Sequence, residues 1–161
     1  MENLFVHTVI NRSVSVEPKY ITNSLNDVIL KKLKEQYEEI CSKDGYIKKN
    51  SIKILKRSLG KILASQFNGN VLYNVQFSAE ICNPLEGAVI KAQVSNINKM
   101  GVLANVSNYV DSPLNIILAR QHHIDNEKFA TLTVGTDIDI KIIGKRFEHG
   151  DSHISIIAVL E

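Results

Sequence analysis

The sequence predicts an α+β fold, with one helix on an antiparallel sheet in the first half and an all-β barrel in the second. Three observations carry this prediction. One long amphipathic pattern occurs, and it lies near residues 25–40. The other periodic segments alternate as strands do. A stretch containing Pro and Gly near residue 83 separates halves of different charge, so we expect domains of residues 1–82 and 83–161.

The first half begins with a strand and continues into the helix. Residues 4–16 are rich in Val, Ile and Thr, which favours one or two strands, and Pro18 ends them. Ser24 is placed to cap a helix, Asp27 lies in its first turn, and Gly45 suits a left-handed cap at its end. Apolar residues recur at helical spacing over about 17 residues, and these are Leu25, Val28, Ile29, Leu33, Tyr37 and Ile40.

Shorter strand signals complete the first half. Residues 46–47 and 52–55 favour short strands, and a loop with Gly60 and Gly69 follows. Residues 71–82 alternate without a break, which makes them the clearest strand in the chain. We therefore predict the order β-α-β-β, with the helix packed on the sheet.

After Gly87 the pattern is that of short strands and turns. Five short strands within about 75 residues are typical of an oligonucleotide/oligosaccharide-binding (OB) barrel. Residues 121–133, between the third and fourth strands, are where such a barrel carries a short helix or a loop. The predicted strands lie near residues 88–95, 102–106, 114–119, 137–142 and 152–160.

The charge is uneven along the chain. Residues 1–82 hold 12 basic and 8 acidic side chains, a net +4, whereas residues 83–161 hold 7 and 9, a net −2. Between residues 43 and 61 only Asp44 opposes a run of basic residues. This run fits either a solvated strand face or an electropositive surface that meets an acidic protein or nucleic acid. Its members are Lys43, Lys48, Lys49, Lys53, Lys56, Arg57 and Lys61.

Several classes of protein are not favoured. No apolar run approaches the roughly 18 residues of a membrane-spanning helix, and residues 1–7 do not read as a secretory signal. Cys41 and Cys82 are the only cysteines, which supports neither a disulfide framework nor a zinc site. We expect a cytosolic, nuclear or virus-factory protein.

The sequence offers no catalytic constellation. It has no Gly-rich phosphate loop and no alignment of a nucleophile with a base. His122 and His123 are adjacent and lack a third ligand, so we expect both on a loop surface. Asp137 and Asp139 share one strand face, where they solvate the outside of the barrel. We predict no catalytic residue, no metal and no cofactor, and therefore not an enzyme in its own right.

An ordered series of short motifs runs through about 150 residues of the chain. They are Leu4-Phe5-Val6, Val14-Ser15-Val16-Glu17-Pro18, Leu30-Lys31-Lys32-Leu33, Gly45-Tyr46-Ile47, Gly60-Lys61-Ile62, Val71 to Ala79, Pro84-Leu85-Glu86-Gly87, Gly101 and Asp139 to Arg146. In this order and spacing the chain resembles the RNA polymerase stalk subunit that is called subunit seven in eukaryotic RNA polymerase II, together with its archaeal counterpart.

The resemblance implies an N-terminal "tip" domain that plugs into the polymerase core, followed by an S1-type OB barrel. It also implies contact with the large core subunits, pairing with a second stalk subunit of the subunit-four type, a position beside the RNA exit channel and a role in initiation. The matching tip positions are Ser58, Leu59, Gly60, Lys61 and Ile62 together with the following loop to Asn70, and Pro18 and Gly45-Tyr46-Ile47 are further candidates in the same domain. Replacing Gly60 and Ile62 by Asp is expected to abolish association while leaving folding intact.

The barrel is expected to bind RNA weakly, in a salt-sensitive and sequence-tolerant way. Gly101 is followed by Val102 and Leu103, where RNA-binding S1 barrels usually carry an aromatic residue, and stacking of one base is worth ~1–3 kcal/mol. The net charge of −2 also weakens attraction to phosphates. The candidate RNA contacts are Lys91, Lys99, Tyr109, Arg120, His122, Lys141, Lys145 and Arg146.

Two other functions stay open at this point. One is a free-standing S1/OB RNA-binding protein of translation or RNA decay, which would not need the α/β domain of residues 1–82. The other is a nuclease on a barrel scaffold, which lacks a clustered set of acids. A cellular stalk subunit would be nuclear. The abundance of Ile, Asn and Lys and the short barrel also fit a subunit of a large DNA virus's own polymerase, in the virion or a cytoplasmic virus factory.

Overall fold

The chain forms two compact units, each with its own sheet. The structure is a computed structural model that describes residues 4–62, 68–107, 109 and 112–161. Phe5–Cys82 form the first unit, and Asn83–Glu161 together with Leu4 form the second.

The first unit combines a six-stranded sheet with one long helix. A short 3₁₀ turn, Pro18–Tyr20, separates the first strand from the helix. The helix α1 spans Leu25–Tyr37. The strands are β1 (Val6–Val16), β2 (Cys41–Ser42), β3 (Gly45–Ile47), β4 (Lys53–Arg57), β5 (Lys61–Ile62) and β6 (Val71–Cys82).

The long strand β6 is the centre of this sheet. It pairs antiparallel with all of β1, from Ile81 opposite Val6 to Val71 opposite Val16. The same strand pairs with β3, β4 and β5, which must therefore follow one another along its other edge. The first unit therefore has more strands than the predicted order β-α-β-β, because three short strands pair with one edge of β6.

The hydrophobic core of the first unit lies between α1 and the sheet. Leu25, Ile29 and Leu33 recur every fourth residue on one face of α1 and are buried. Burial of each such side chain stabilises the fold by roughly 1.5–3 kcal/mol. They join buried residues of the strands, namely Ile10, Val14, Val16, Ile47, Tyr73, Val75, Phe77, Ala79 and Ile81.

The helix differs from the prediction at both ends. Ser24 is the N-cap residue, but its side chain makes no capping hydrogen bond and its hydroxyl lies 3.0 Å from that of Thr22. The helix ends at Tyr37 rather than near residue 40, because the Ile40 carbonyl accepts a hydrogen bond from the Ile47 N–H. Gly45, with φ 119°, serves the β2–β3 hairpin and not a helix cap.

The second unit is a closed five-stranded barrel, as the sequence predicts. The strands pair in the order β7, β8, β9, β11, β10 and back to β7, and the β9–β11 pair alone is parallel. The helix α2 (Glu127–Ala130) lies in the insert between β9 and β10. The strands are β7 (Val89–Asn98), β8 (Gly101–Val106), β9 (Leu114–Ala119), β10 (Asp137–Arg146) and β11 (Ile154–Leu160).

Alternating side chains of each strand fill the barrel. Ile140, Ile142, Ile154 and Ile156 are buried, whereas their neighbours along the strands are mostly exposed. This pattern gives a side-chain-filled core in the second unit and places the alternate side chains on the outside of the barrel.

None of the described helices has the length and apolar character needed to span a membrane.

Candidate functional site

The predicted docking segment is fastened to β6 at its start. The Ser58 N–H donates to the Asn74 carbonyl over 2.8 Å, and the Ser58 hydroxyl accepts the Asn74 N–H over 2.9 Å. The next residue, Leu59, is 90% exposed, and Ile62 is 66% exposed. Two large aliphatic side chains therefore stand in solvent beside an anchored backbone, as an apolar contact surface requires.

Part of the predicted loop is a strand. Lys61 pairs with Leu72 and Ile62 with Val71, so residues 61–62 form β5 at the edge of the sheet. This pairing fixes the backbone that carries Ile62. The predicted continuation toward Asn70 includes residues 63–67, which lie outside the described residues.

Gly60 has a packing role. A Cβ at this position would lie 2.4 Å from Cγ1 of Val71 and 3.0 Å from the ring of Tyr73. Any larger residue here therefore displaces β6 side chains. Gly60→Asp is therefore expected to disturb the packing of β6, so Leu59 and Ile62 are better positions at which to test docking.

The loop that follows the docking segment approaches Pro18 at Gly69. A Cβ added to Gly69 would lie 3.7 Å from the Pro18 ring. Beside Pro18, Glu17 raises the pKa of Lys19 through a hydrogen bond and its negative charge. Both side chains are solvated, so this pair contributes little to stability.

Two members of the basic run of residues 43–61 contact other side chains, and the other five make no ion pair with a described residue. Arg57 lies over the ring of Tyr73 and donates to the Asn26 side chain over 2.7 Å. Lys48 pairs with Glu80 at 3.1 Å. The remaining lysines are exposed and make no ion pair with a described residue, and these are Lys43, Lys49, Lys53, Lys56 and Lys61.

A groove of about 660 Å³ lies on the first unit and includes Ser58. Neutral residues of β1 and β6 line it, together with four basic residues, which are Arg12, Lys43, Lys56 and Arg57. Asn11 of β1 and Lys56 both pair with Gln76 of β6, so one polar row crosses three strands. Sequence reasoning missed this groove, although the alternating Asn74 and Gln76 of β6 signal a polar sheet face.

The eight candidate RNA contacts do not form one surface. The β7–β8 turn carries Lys99, and Arg120 donates to the Asn98 carbonyl of the same turn over 3.1 Å. His122 follows Arg120 by two residues in a 3₁₀ turn. These three cationic or titratable side chains therefore cluster at one end of the barrel.

Lys145 and Arg146 lie toward the opposite end. β10 runs antiparallel to β7, and Lys141 is opposite Val89, which places the end of β10 away from the β7–β8 turn. Lys145 donates to the Asn83 side chain over 2.6 Å, and Arg146 lies 3.7 Å from Glu148.

Of the last three candidates, Lys91 and Lys141 lie on the barrel wall formed by β7 and β10, and Tyr109 contacts Leu4. Lys91 of β7 lies opposite Asp139 of β10 in the strand register, and Lys141 is two residues farther along β10. The Tyr109 hydroxyl accepts the Leu4 N–H at 3.4 Å. The negative charge of Asp139 beside Lys91 weakens this wall as a phosphate-binding surface.

One histidine prediction is wrong. His122 is exposed as expected, whereas His123 is only 5% exposed. Its ring stacks on Phe129, with 4.4 Å between the ring centroids. Asp137 and Asp139 are exposed on the outer face of β10, as the sequence predicts. Among the described residues, no group of three His, Cys, Asp or Glu side chains could hold a metal ion.

Comparison with protein-family models finds no match. Individual proteins match across both units. The DNA-directed RNA polymerase II subunit 7 of Arabidopsis thaliana is 24% identical over 161 residues, covering 90% of this chain and 86% of the relative. The corresponding subunit of Schizosaccharomyces pombe is 28% identical over 152 residues, or 83% of each chain.

The resemblance to RNA polymerase II subunit 7 is confirmed. A viral relative extends it, because a protein of Acanthamoeba polyphaga mimivirus that is named as a DNA-directed RNA polymerase subunit is 26% identical over 159 residues. That match covers 98% of this chain and 75% of the relative. Similarity to subunit 7 thus includes both the helix-bearing unit and the OB barrel.

Proposed function

We propose that this chain is a non-catalytic stalk subunit of a multisubunit DNA-directed RNA polymerase. The observation that carries the proposal is the similarity to subunit 7 of RNA polymerase II, which spans both units. A free-standing OB protein would need only the barrel, whereas this chain matches its relatives across the α/β unit as well. The subunit docks on the core near the RNA exit channel and supports initiation, and its barrel contacts nascent RNA weakly.

The first unit is the proposed tip domain, and residues 58–62 are its proposed docking segment. Exposed Leu59 and Ile62 supply the apolar contact, while Ser58 and β5 hold the backbone in place. The partners are the large core subunits and a second stalk subunit of the subunit-four type. The site of action is the nucleus for a cellular polymerase, and the virion or a cytoplasmic virus factory for a viral one.

Affinity purification of the tagged chain from its native source at moderate salt, followed by mass spectrometry, tests the proposal. We expect recovery of the two largest polymerase subunits together with any stalk partner. Recovery of ribosomal or RNA-decay proteins without polymerase would replace the proposal with a free-standing RNA-binding protein.

A second experiment tests the docking segment. The double variant Leu59→Asp/Ile62→Asp should lose polymerase while keeping the far-UV circular dichroism of the wild type, because both side chains are exposed. Ile124→Asp is the matched control, since Ile124 is 78% exposed but lies in the second unit. Equal recovery of polymerase by both variants would remove residues 58–62 from the docking surface.

A further inference from the structure

The groove on the first unit has a chemically distinct lining. Asn11 and Ser13 of β1 lie opposite Gln76 and Asn74 of β6, and the Ser13 hydroxyl donates to the Asn74 side-chain oxygen over 2.9 Å. These amides and hydroxyls form a neutral floor. Lys56 continues the row on β4. Such a floor offers hydrogen bonds to an extended ligand without supplying charge.

The charge of the groove comes from its basic lining residues. None of its described lining residues is acidic, whereas Arg12, Lys43, Lys56 and Arg57 are basic. Arg12 pairs with Asp44, and Arg57 is held over Tyr73. Lys43 and Lys56 make no ion pair with a described residue, so they supply the uncompensated positive charge. The complementary ligand is an anion.

The lining favours an acidic polypeptide over RNA. No aromatic side chain of the described residues lines the groove, and bases that bind single-stranded sites normally stack on such rings. Ser58 lines the groove and also begins the segment that exposes Leu59 and Ile62. A protein that covers those two side chains can therefore continue directly into the groove.

We propose that this groove binds an extended acidic segment, rich in Asp or Glu, of the polymerase core. The proposal rests on the proposed function and adds to it the chemistry of the partner. Carboxylates of the segment pair with Lys43 and Lys56, and its polar groups bond to the floor residues Asn11 and Gln76. Docking then combines an apolar contact at Leu59 and Ile62 with an electrostatic contact beside it.

Fluorescence anisotropy with the purified full chain tests the groove directly. The probes are a labelled twelve-residue polyglutamate and a labelled twelve-nucleotide oligouridine at low salt. In the variant Lys43→Glu/Lys56→Glu we expect polyglutamate to bind about tenfold more weakly, because two attractive contacts become repulsive. The matched control Lys31→Glu/Lys128→Glu changes the net charge equally but alters exposed lysines outside the groove, and its affinity should fall about twofold or less.

Three results would overturn the inference. The first is that both variants weaken polyglutamate binding equally, and the second is that the groove variant binds polyglutamate as the wild type does. The third is that the wild type binds oligouridine more tightly than polyglutamate and that the groove variant abolishes this oligouridine binding. Purification of polymerase separates this inference from the proposed function. If the wild type and the groove variant recover polymerase equally at moderate salt, the groove is not a docking site but the stalk assignment stands. If the wild type recovers none, the stalk assignment fails, and the polyglutamate titration still decides whether the groove binds acidic peptide.

Discussion

Leu160 donates its backbone N–H to Nε2 of His123 over 3.0 Å. The other ring nitrogen, Nδ1, lies 2.8 Å from the Ala119 carbonyl. Because Nε2 accepts a hydrogen bond, the imidazole is neutral and carries its proton on Nδ1, which donates to Ala119. The ring also stacks on Phe129 of α2. One buried side chain therefore joins the end of β9, the insert and the last strand of the barrel.

Replacing His123 by Phe should destabilise the second unit. The new ring can still stack on Phe129, but the Leu160 N–H and the Ala119 carbonyl lose their partner. We expect a loss of about 1–3 kcal/mol in the free energy of unfolding, the usual penalty for an unsatisfied buried polar group. Urea unfolding followed by circular dichroism measures it. His122→Phe, at an exposed site, should change stability by less than about 0.5 kcal/mol, and equal losses in the two variants would contradict the role of His123.

Gly101→Ala should destabilise the barrel at the β7–β8 turn. An added Cβ would lie 2.2 Å from the Leu118 carbonyl oxygen, which belongs to the backbone of β9 and cannot rotate away. Overpacking of this kind costs about 1–3 kcal/mol. Thermal unfolding of the variant should show a lower Tm than the wild type. Gly144→Ala is the control because open space surrounds Gly144, and a similar Tm loss in both variants would disprove the steric argument.

Leu33→Ala should weaken the first unit. Leu33 is fully buried between α1 and the sheet, so its truncation leaves a cavity. Such replacements cost about 2–5 kcal/mol. Exposed Gln36→Ala on the same helix should leave the urea midpoint nearly unchanged. If the Leu33 variant has the same urea midpoint as the wild type, the stability of the first unit does not depend on the packing of Leu33 against the sheet.

RNA binding should depend on the end of the barrel that carries Lys99 and Arg120. Removing both with Ala should weaken binding of oligouridine and reduce the slope of log K against log salt by about 1.4, or 0.7 per lost phosphate contact. The control is Lys31→Ala/Lys128→Ala, which removes two exposed lysines that are not candidate RNA contacts. Filter binding measures both variants. If no RNA binds even at ~50 mM salt, the proposed transcript contact is wrong.

Much of the fold follows from periodicity, and the exceptions have physical causes. The unbroken alternation over β6 predicts a strand buried on one face, and Val75 and Phe77 are indeed buried. The helix stops before its apolar pattern does, because Ile40 bonds to Ile47 of β3. That contact joins residues of a hairpin, and helical periodicity carries no information about it.

The candidate surfaces are less visible in the sequence. β5 is two residues long, too short for an alternation to appear, and only its register with β6 defines it. The groove is built from β1, β4, β6 and the β2–β3 turn, whose residues are distant along the chain. The burial of His123 depends on the packing of the insert against the last strand, which the adjacency of two histidines could not indicate.

The central position of β6 has a consequence for biosynthesis. β6 is the last strand of the first unit to be made, yet β1, β3, β4 and β5 all pair with it. The barrel differs, because β7, β8, β9 and β10 pair among themselves and β11, made last, closes the gap between β9 and β10. On the ribosome, therefore, the first sheet cannot assemble and the barrel cannot close until the final strand of each has emerged from the exit tunnel. Until then the apolar faces of the earlier strands stay uncovered, which makes the nascent chain a candidate client for chaperones.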